Sequence, residues 1–126
     1  MNSNGDKSSG LKHLKPTDFI WGKPVYGRII DHQTRCTHYH SSEDIIAIKF
    51  KCCGHYYPCY ECHQEAAGHT AQQWEENEWN SKAVLCGSCG FELTINEYFS
   101  SVNKCPQCKE LFNPNCEKHY SLYFRK

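Results

Sequence analysis

Between Lys51 and His69 the stretch "KCCGHYYPCYECHQEAAGH" places four cysteines and three histidines within nineteen residues. Thiols at that density serve as disulfide staples, as reactive nucleophiles or as metal ligands. Three CxxC pairs favour metal: Cys59 with Cys62, Cys86 with Cys89, and Cys105 with Cys108. Two intervening residues let one tight turn aim both sulfurs at a single tetrahedral ion, with metal–sulfur bonds of about 2.3 Å. A disulfide inside such a pair would close a loop too small to gain much chain-entropy stabilisation. In "CGSCG" a glycine follows each cysteine, and in "CPQC" Pro106 sits between the sulfurs, so each turn bends with little backbone strain. Cys86, Cys89, Cys105 and Cys108 form a CxxC, fifteen-residue, CxxC unit that closes a zinc site by itself. A redox-active CxxC of the thioredoxin kind would want one pair in a βαβ context, which this sequence does not provide.

The first half is less regular. Cys36, His38, Cys52, Cys53, Cys59, Cys62, His63 and His69 offer eight donors, enough for two further closed tetrahedral ions. Successive side chains of an extended chain diverge, so Cys52 and Cys53 are expected at different ions. By the same logic Cys62 and His63 are split, which would interleave the two sites; the full pairing stays open. Cys116 and His119 have CxxH spacing but lack two partners, and read either as half of an additional site or as a buried thiol and a surface histidine. His55 is expected on a strand or loop, and His13, His32 and His40 in solvent. A zinc with four protein donors has no open position for activating water, and no GxSxG or HExxH string is present, so hydrolytic chemistry is not expected. Thiol–disulfide exchange after oxidative release of metal remains open as an alternative.

The elements that must position these groups are small. The 126 residues have a mean hydropathy of −0.74 and ten cysteines, which points to a thin core stabilised by metal clips. The fold class expected is a small α+β zinc-stabilised domain: short strands and zinc knuckles, one or two short helices, little hydrophobic core. Residues 1–20, rich in Ser, Asn, Gly and Lys, read as a disordered tail, and 21–126 as a single domain. Within it, about 25–70 carries the interleaved pair of sites, about 84–112 is a four-cysteine, zinc-ribbon-like half, and 113–126 is an aromatic C-terminal segment. "VYGRIID" and "DIIAIKFKCC" read as strands, with Ile46, Ile48 and Phe50 on one face. After Cys62 the pattern predicts a turn of helix before Gly68 and a longer helix after it, carrying Ala71, Trp74 and Glu78, with Trp74 and Trp79 packing on the core. "FELT" predicts a short strand, "TINEYFSS" a short helix with Thr94 and Glu97 as a capping box, and "HYSLYF" a final strand packed on the knuckles.

Lys and Arg total 14, as do Asp and Glu, and no basic stripe is present, which argues against nucleic acid. Three Zn²⁺ and nine ligand thiolates would move the formal charge from zero to about −3, strengthening that exclusion. No apolar run approaches a membrane span, and neither a secretory signal nor a convincing mitochondrial presequence is legible at the start, so the chain is expected to be soluble.

"CTHY", then "CC", five residues, "CYECH", five residues and His69, followed by two CxxC knuckles, is similar to the CHY-type zinc finger. That resemblance, covering about Cys36 to Phe112, implies three bound zincs with twelve ligands at Cys36, His38, Cys52, Cys53, Cys59, Cys62, His63, His69, Cys86, Cys89, Cys105 and Cys108. A further Cys that some members carry soon after "CxHY" is missing here, and these residues contain no RING finger such as larger members append for ubiquitin transfer. "RCTHYH", "DIIAIKFKCCGHYYPCYECHQE" and "LFNPNCEKHYSLYF" resemble the stand-alone fungal form of the family from about Val25 to Phe124. That group is implicated in the assembly of cysteine-rich small Tim chaperones in the mitochondrial intermembrane space. The resemblance implies a non-enzymatic, monomeric zinc-binding helper of oxidative folding, partnered by cysteine-rich import clients and their oxidoreductase. Two alternatives stand beside it: an interaction module of the ubiquitin system, which would allow a cytoplasmic location, and a thiol oxidoreductase cycling its CxxC pairs.

Overall fold

A computed structural model describes residues 15–113 and 120–125. Most of the N-terminal tail, His13, Cys116 and His119 lie outside the described residues. The elements run β1 (Asp18–Ile20), β2 (Lys23–Val25), β3 (Ile46–Lys49), β4 (Tyr56–Tyr57), α1 (Tyr60–Ala66), a 3-10 turn (Glu76–Glu78), β5 (Lys82–Cys86), β6 (Glu92–Thr94), α2 (Ile95–Ser100) and α3 (Tyr120–Tyr123). Together they give a small α+β domain of short strands, few short helices and cysteine–histidine clusters.

The strands form one sheet in the order β1-β2-β4-β3-β5-β6, antiparallel except where Val25 of β2 meets Tyr56 of β4. β3 and β5 are interior neighbours, with Ile46 opposite Cys86, Ala47 opposite Leu85 and Ile48 opposite Val84. A central strand covered on both faces needs apolar residues at successive positions, and Ala83 to Cys86 are all fully buried. The two faces feed two clusters: Ile46, Ile48, Phe50 and Val84 belong to the larger, and Ile20, Val25, Ala47, Tyr56 and Leu85 to the smaller. Five thiols, Cys36, Cys59, Cys62, Cys86 and Cys105, are members of the larger cluster, so the sulfur sites are part of the core.

Asp18–Ile20, read from the sequence as the end of the tail, forms β1. It joins β2 through a two-residue turn with both φ angles positive, 53° at Trp21 and 80° at Gly22, the geometry that matches the twist of a hairpin. Trp21 is held in this left-handed conformation from outside, because its indole N–H donates to the Gly87 carbonyl at 2.9 Å. Of "VYGRIID" only Val25 is in a strand; Gly27, with φ of 105°, turns the chain away beside Cys62, leaving Ile29 a single bridge to Cys36.

The longer helix expected after Gly68 does not form. α1 starts earlier and runs seven residues, Gly68 turns the chain with φ of 73°, and of the stretch from Gly68 to Lys82 only Glu76–Glu78 is helical. Helix propensity is a weak prior, and here tertiary pairing overrides it: the Trp74 N–H donates to Tyr123 O at 2.7 Å, Arg125 N–H donates to Trp74 O at 2.7 Å, and the Trp74 indole donates to Lys49 O at 2.7 Å. The C-terminal strand is likewise corrected. Tyr120–Tyr123 is one helical turn, with the Tyr120 ring against Tyr98 and Phe99 of α2 and the Tyr123 ring edge-on to Phe50. Trp79 packs edge-on to Phe99 from a loop. The capping box on α2 is present, with Thr94 Oγ1 accepting from Glu97 N–H and Glu97 Oε1 from Thr94 N–H.

Two substitutions separate local from packed contributions. Thr94→Ala should lower the stability of the metal-loaded protein by about 1 kcal/mol in chemical denaturation, the usual cost of a lost N-cap. Gly87→Ala should cost more, because its Cβ would run into the Gln33 backbone, which cannot rotate aside as a side chain can.

Candidate metal centres

Three groups of four donors assemble, each with its ligand atoms within 4.8 Å of one another: Cys36, His38, Cys59 and Cys62; Cys52, Cys53, His63 and His69; and Cys86, Cys89, Cys105 and Cys108. We number them one to three in that order. All twelve residues singled out in the sequence are brought together, and among the described residues every cysteine is a free thiol.

In cluster one, Cys59 is the N-cap of α1 and Cys62 lies one turn in, its N–H donating to Cys59 Sγ at 3.4 Å. Cys36 is fixed by its N–H to Tyr39 O at 3.0 Å. His38 turns Nδ1 to the sulfurs, 3.4 Å from both Cys59 and Cys62, and Nε2 to Glu65 Oε2 at 3.2 Å. Glu65 in turn receives the Arg28 guanidinium at 2.8 Å. A carboxylate behind a liganding imidazole fixes its ring and raises its basicity, so Glu65 is a supporting residue of this cluster. Sequence inspection missed it, since a glutamate on a polar helix face carries no local signal of what lies across from it.

Cluster two corrects one expectation. Cys52 and Cys53 serve the same group, because they sit in a tight turn rather than an extended chain: Cys53 N–H and Gly54 N–H both donate to Phe50 O, at 3.4 and 2.7 Å. The split of Cys62 from His63 holds, since neighbours on a helix point about 100° apart. His63 is fully buried, stacked on Phe50 with centroids 4.1 Å apart and edge-on to Tyr57. Its Nε2 lies 3.3 Å from Cys52 Sγ and 3.2 Å from His69 Nε2. His69 is exposed and completes the group from the loop after α1.

Cluster three joins the end of β5 to the last knuckle, whose backbone N–H groups at Gln107 and Cys108 donate to Cys105 Sγ at 3.4 and 3.5 Å. Sulfurs pair across the two turns, Cys86 with Cys108 at 3.8 Å and Cys89 with Cys105 at 3.7 Å. The His55 ring stacks on Tyr26, while its backbone supports the Cys53 thiol, and His32 meets Asp18 at the surface; neither imidazole joins a donor group.

The donors fit a tetrahedral ion. Bonds of about 2.3 Å to sulfur and 2.0–2.1 Å to nitrogen give tetrahedral edges of about 3.8 Å between sulfurs, 3.5 Å between sulfur and nitrogen, and 3.4 Å between nitrogens. Sulfur–sulfur spacings of 3.7–3.8 Å in clusters one and three, sulfur–nitrogen spacings of 3.2–3.4 Å with Cys36–His38 and Cys53–His63 wider at 3.9 Å, and the 3.2 Å between histidines lie near those edges. Without a cation the thiols cannot all ionise. Hydrogen bonds from Cys59 and Cys62 hold the Cys36 thiol down at about 2, whereas the bond to Cys36 drives Cys59 up and Cys62 to about 11. Burial pushes Cys53 to about 11 and raises Cys86. Burial and the neighbouring His69 take His63 down to about 4, so it is neutral and ready to donate.

Metal must therefore displace thiol protons, and its affinity should fall as pH falls, with protons released on binding in an unbuffered titration. Glu65→Gln should weaken metal binding at cluster one by about 10- to 100-fold in competition with a chromogenic chelator, with the number of ions held at saturation unchanged.

The CHY zinc finger family matches residues 36–121. Helper of Tim protein 13 from Kluyveromyces lactis is 43% identical over 102 residues, covering 81% of this chain and 89% of that protein. Helper of Tim protein 13 from Saccharomyces cerevisiae is 43% identical over 104 residues, covering 80% and 90%. An uncharacterized protein of Schizosaccharomyces pombe is 40% identical over 100 residues, covering 79% and 88%. Donor spacing, the three four-donor groups and these matches agree: the chain belongs to the CHY zinc finger family.

Proposed function

We propose that the twelve clustered side chains hold three Zn²⁺ ions, one per cluster, and that the protein is a zinc-binding helper for assembly of small Tim proteins in the mitochondrial intermembrane space. The observation that carries the metal assignment is the match between donor spacings and the edges of a zinc tetrahedron. The relatives named Helper of Tim protein 13, similar over about four fifths of the chain, support the pathway and the compartment. Among the described residues no helix is long and apolar enough to cross a membrane.

Bound zinc supplies charge neutralisation for the thiolates and a tetrahedral lock on the fold. The chain's own residues do the rest: CxxC turns present thiolates, neutral His63 donates without releasing a proton, and Glu65 orients His38. With all four positions of each ion taken by protein, the sites suit metal exchange rather than hydrolysis. The protein acts without catalysis, as a monomer, on the zinc or thiol state of cysteine-rich clients and their oxidoreductase. One sheet joins β3 and β4, which flank Cys52 and Cys53 and precede Cys59, to β5, which ends in Cys86, and this supports a single domain.

Two measurements test the reading. Native mass spectrometry of the purified chain should find three zinc ions, and their chelation should abolish the near-ultraviolet circular dichroism of the buried tyrosines, since each structural zinc contributes on the order of 10 kcal/mol to folding. Metal-depleted protein mixed with a zinc-loaded, reduced small Tim protein should take up the client's metal and accelerate its oxidation. A metal-free chain that stays folded overturns the first assignment, and a client whose zinc content and oxidation rate are unaffected overturns the second.

A further inference from the structure

The three clusters are built from similar donors, but the chain holds them unequally. Cluster one has three buried cysteines, and its histidine is braced by Glu65 and Arg28. Cluster three has two buried cysteines, Cys86 and Cys105, and is clamped from outside by the Trp21 indole on Gly87 O and by Gly87 N–H on Ile45 O. In cluster two both cysteines are only half-buried, and His69 is exposed.

The supports of cluster two are also fewer. His63 is locked between Phe50 and Tyr57, yet its buried Nδ1 has no hydrogen-bond partner among the described residues, so this imidazole lacks the outer carboxylate that His38 enjoys. His69 follows Gly68, whose φ of 73° ends α1, and a Cβ there would meet open space. Between Ala67 and Trp74 no backbone–backbone hydrogen bond holds the chain among the described residues. The His69 ring meets Cys52 and His63, both inside the cluster, with Cys52 Sγ at 3.2 Å. Of the twelve donors, His69 is thus the one whose withdrawal disturbs least of the fold.

We propose that Cys52, Cys53, His63 and His69 form the exchangeable metal site of the molecule, and that His69 is the ligand that departs first to admit an incoming thiolate. This deepens the reading of the clusters as zinc sites and rests on it. The exchange is a ligand substitution without electron transfer: one metal–nitrogen bond breaks, the imidazole leaves neutral, and a thiolate from a cysteine-rich partner takes the vacated position. Clusters one and three keep their ions and so keep the fold while the second site turns over.

Zinc-loaded protein, challenged with excess chelator and pulsed with N-ethylmaleimide at intervals, reads the order of release. Native mass spectrometry should show one of the three ions leaving at least about 10-fold faster than the other two, the size of effect that outer-ligand support exerts on zinc sites. Peptide mapping of the early pulses should find the label on Cys52 and Cys53 before any other cluster cysteine. His69→Cys, which keeps four donors, should slow that fast phase; His69→Ala should yield a folded protein holding two slow ions. Release of all three in one phase, or early label on the cysteines of cluster one or three, overturns the proposal. A chain that binds no zinc at all would instead overturn the assignment beneath it, so the two failures are distinguishable.

Discussion

Thiolates 3.7–3.8 Å apart, as in clusters one and three, repel, and the protein gathers nine cysteines into three groups without joining any described pair covalently. In this buried setting hydrogen bonds from Cys59 and Cys62 hold the Cys36 thiol low while the bonds to Cys36 push the other two up, so one charge is favoured at the expense of its neighbours. A divalent cation removes that conflict by replacing several protons at once. Five of the thiols belong to the same buried cluster as Ile46, Ile48 and Phe50, so apolar packing and the donor groups are one structure.

Interleaving threads the first two clusters through one another in sequence. Along the chain, donors alternate in pairs: Cys36 and His38 to one group, Cys52 and Cys53 to the other, Cys59 and Cys62 back to the first, His63 and His69 again to the second. The crossing point is α1, where Cys62 and His63 diverge by the turn of a helix and reach different groups. A seven-residue helix could hardly persist alone, so its stability comes from the donors it carries and from the Tyr123 hydroxyl that accepts its first N–H. The third group is separate in sequence yet not in space: Trp21, Gln33 and Ile45 all press on the Gly87 turn.

Most of the site was legible before the structure, because ligand chemistry is local. CxxC spacing, glycine and proline in the turns, and the Thr94–Glu97 box each depend on residues a few positions apart, and each is found where the spacing placed it. What was misread had a non-local cause. The Trp74 region has helical spacing but spends its backbone on the C-terminal segment, and Tyr120–Tyr123, read as strand, coils into one turn that sets Tyr120 against Phe99. The reading of Cys52 and Cys53 assumed an extended chain where Phe50 O in fact closes a turn.

The sequence by itself determined that twelve soft and borderline donors occur at tetrahedral-ligand spacing on a chain with little apolar material to fold around. Only the tertiary structure decided how the donors partition, which histidine gains a carboxylate, and which site stays near solvent. The physical reason is range: whether two sulfurs can share an ion depends on a turn of three or four residues, whereas the burial and outer support of that ion depend on elements such as Glu65, Phe50 and Trp21, whose positions the sheet alone sets.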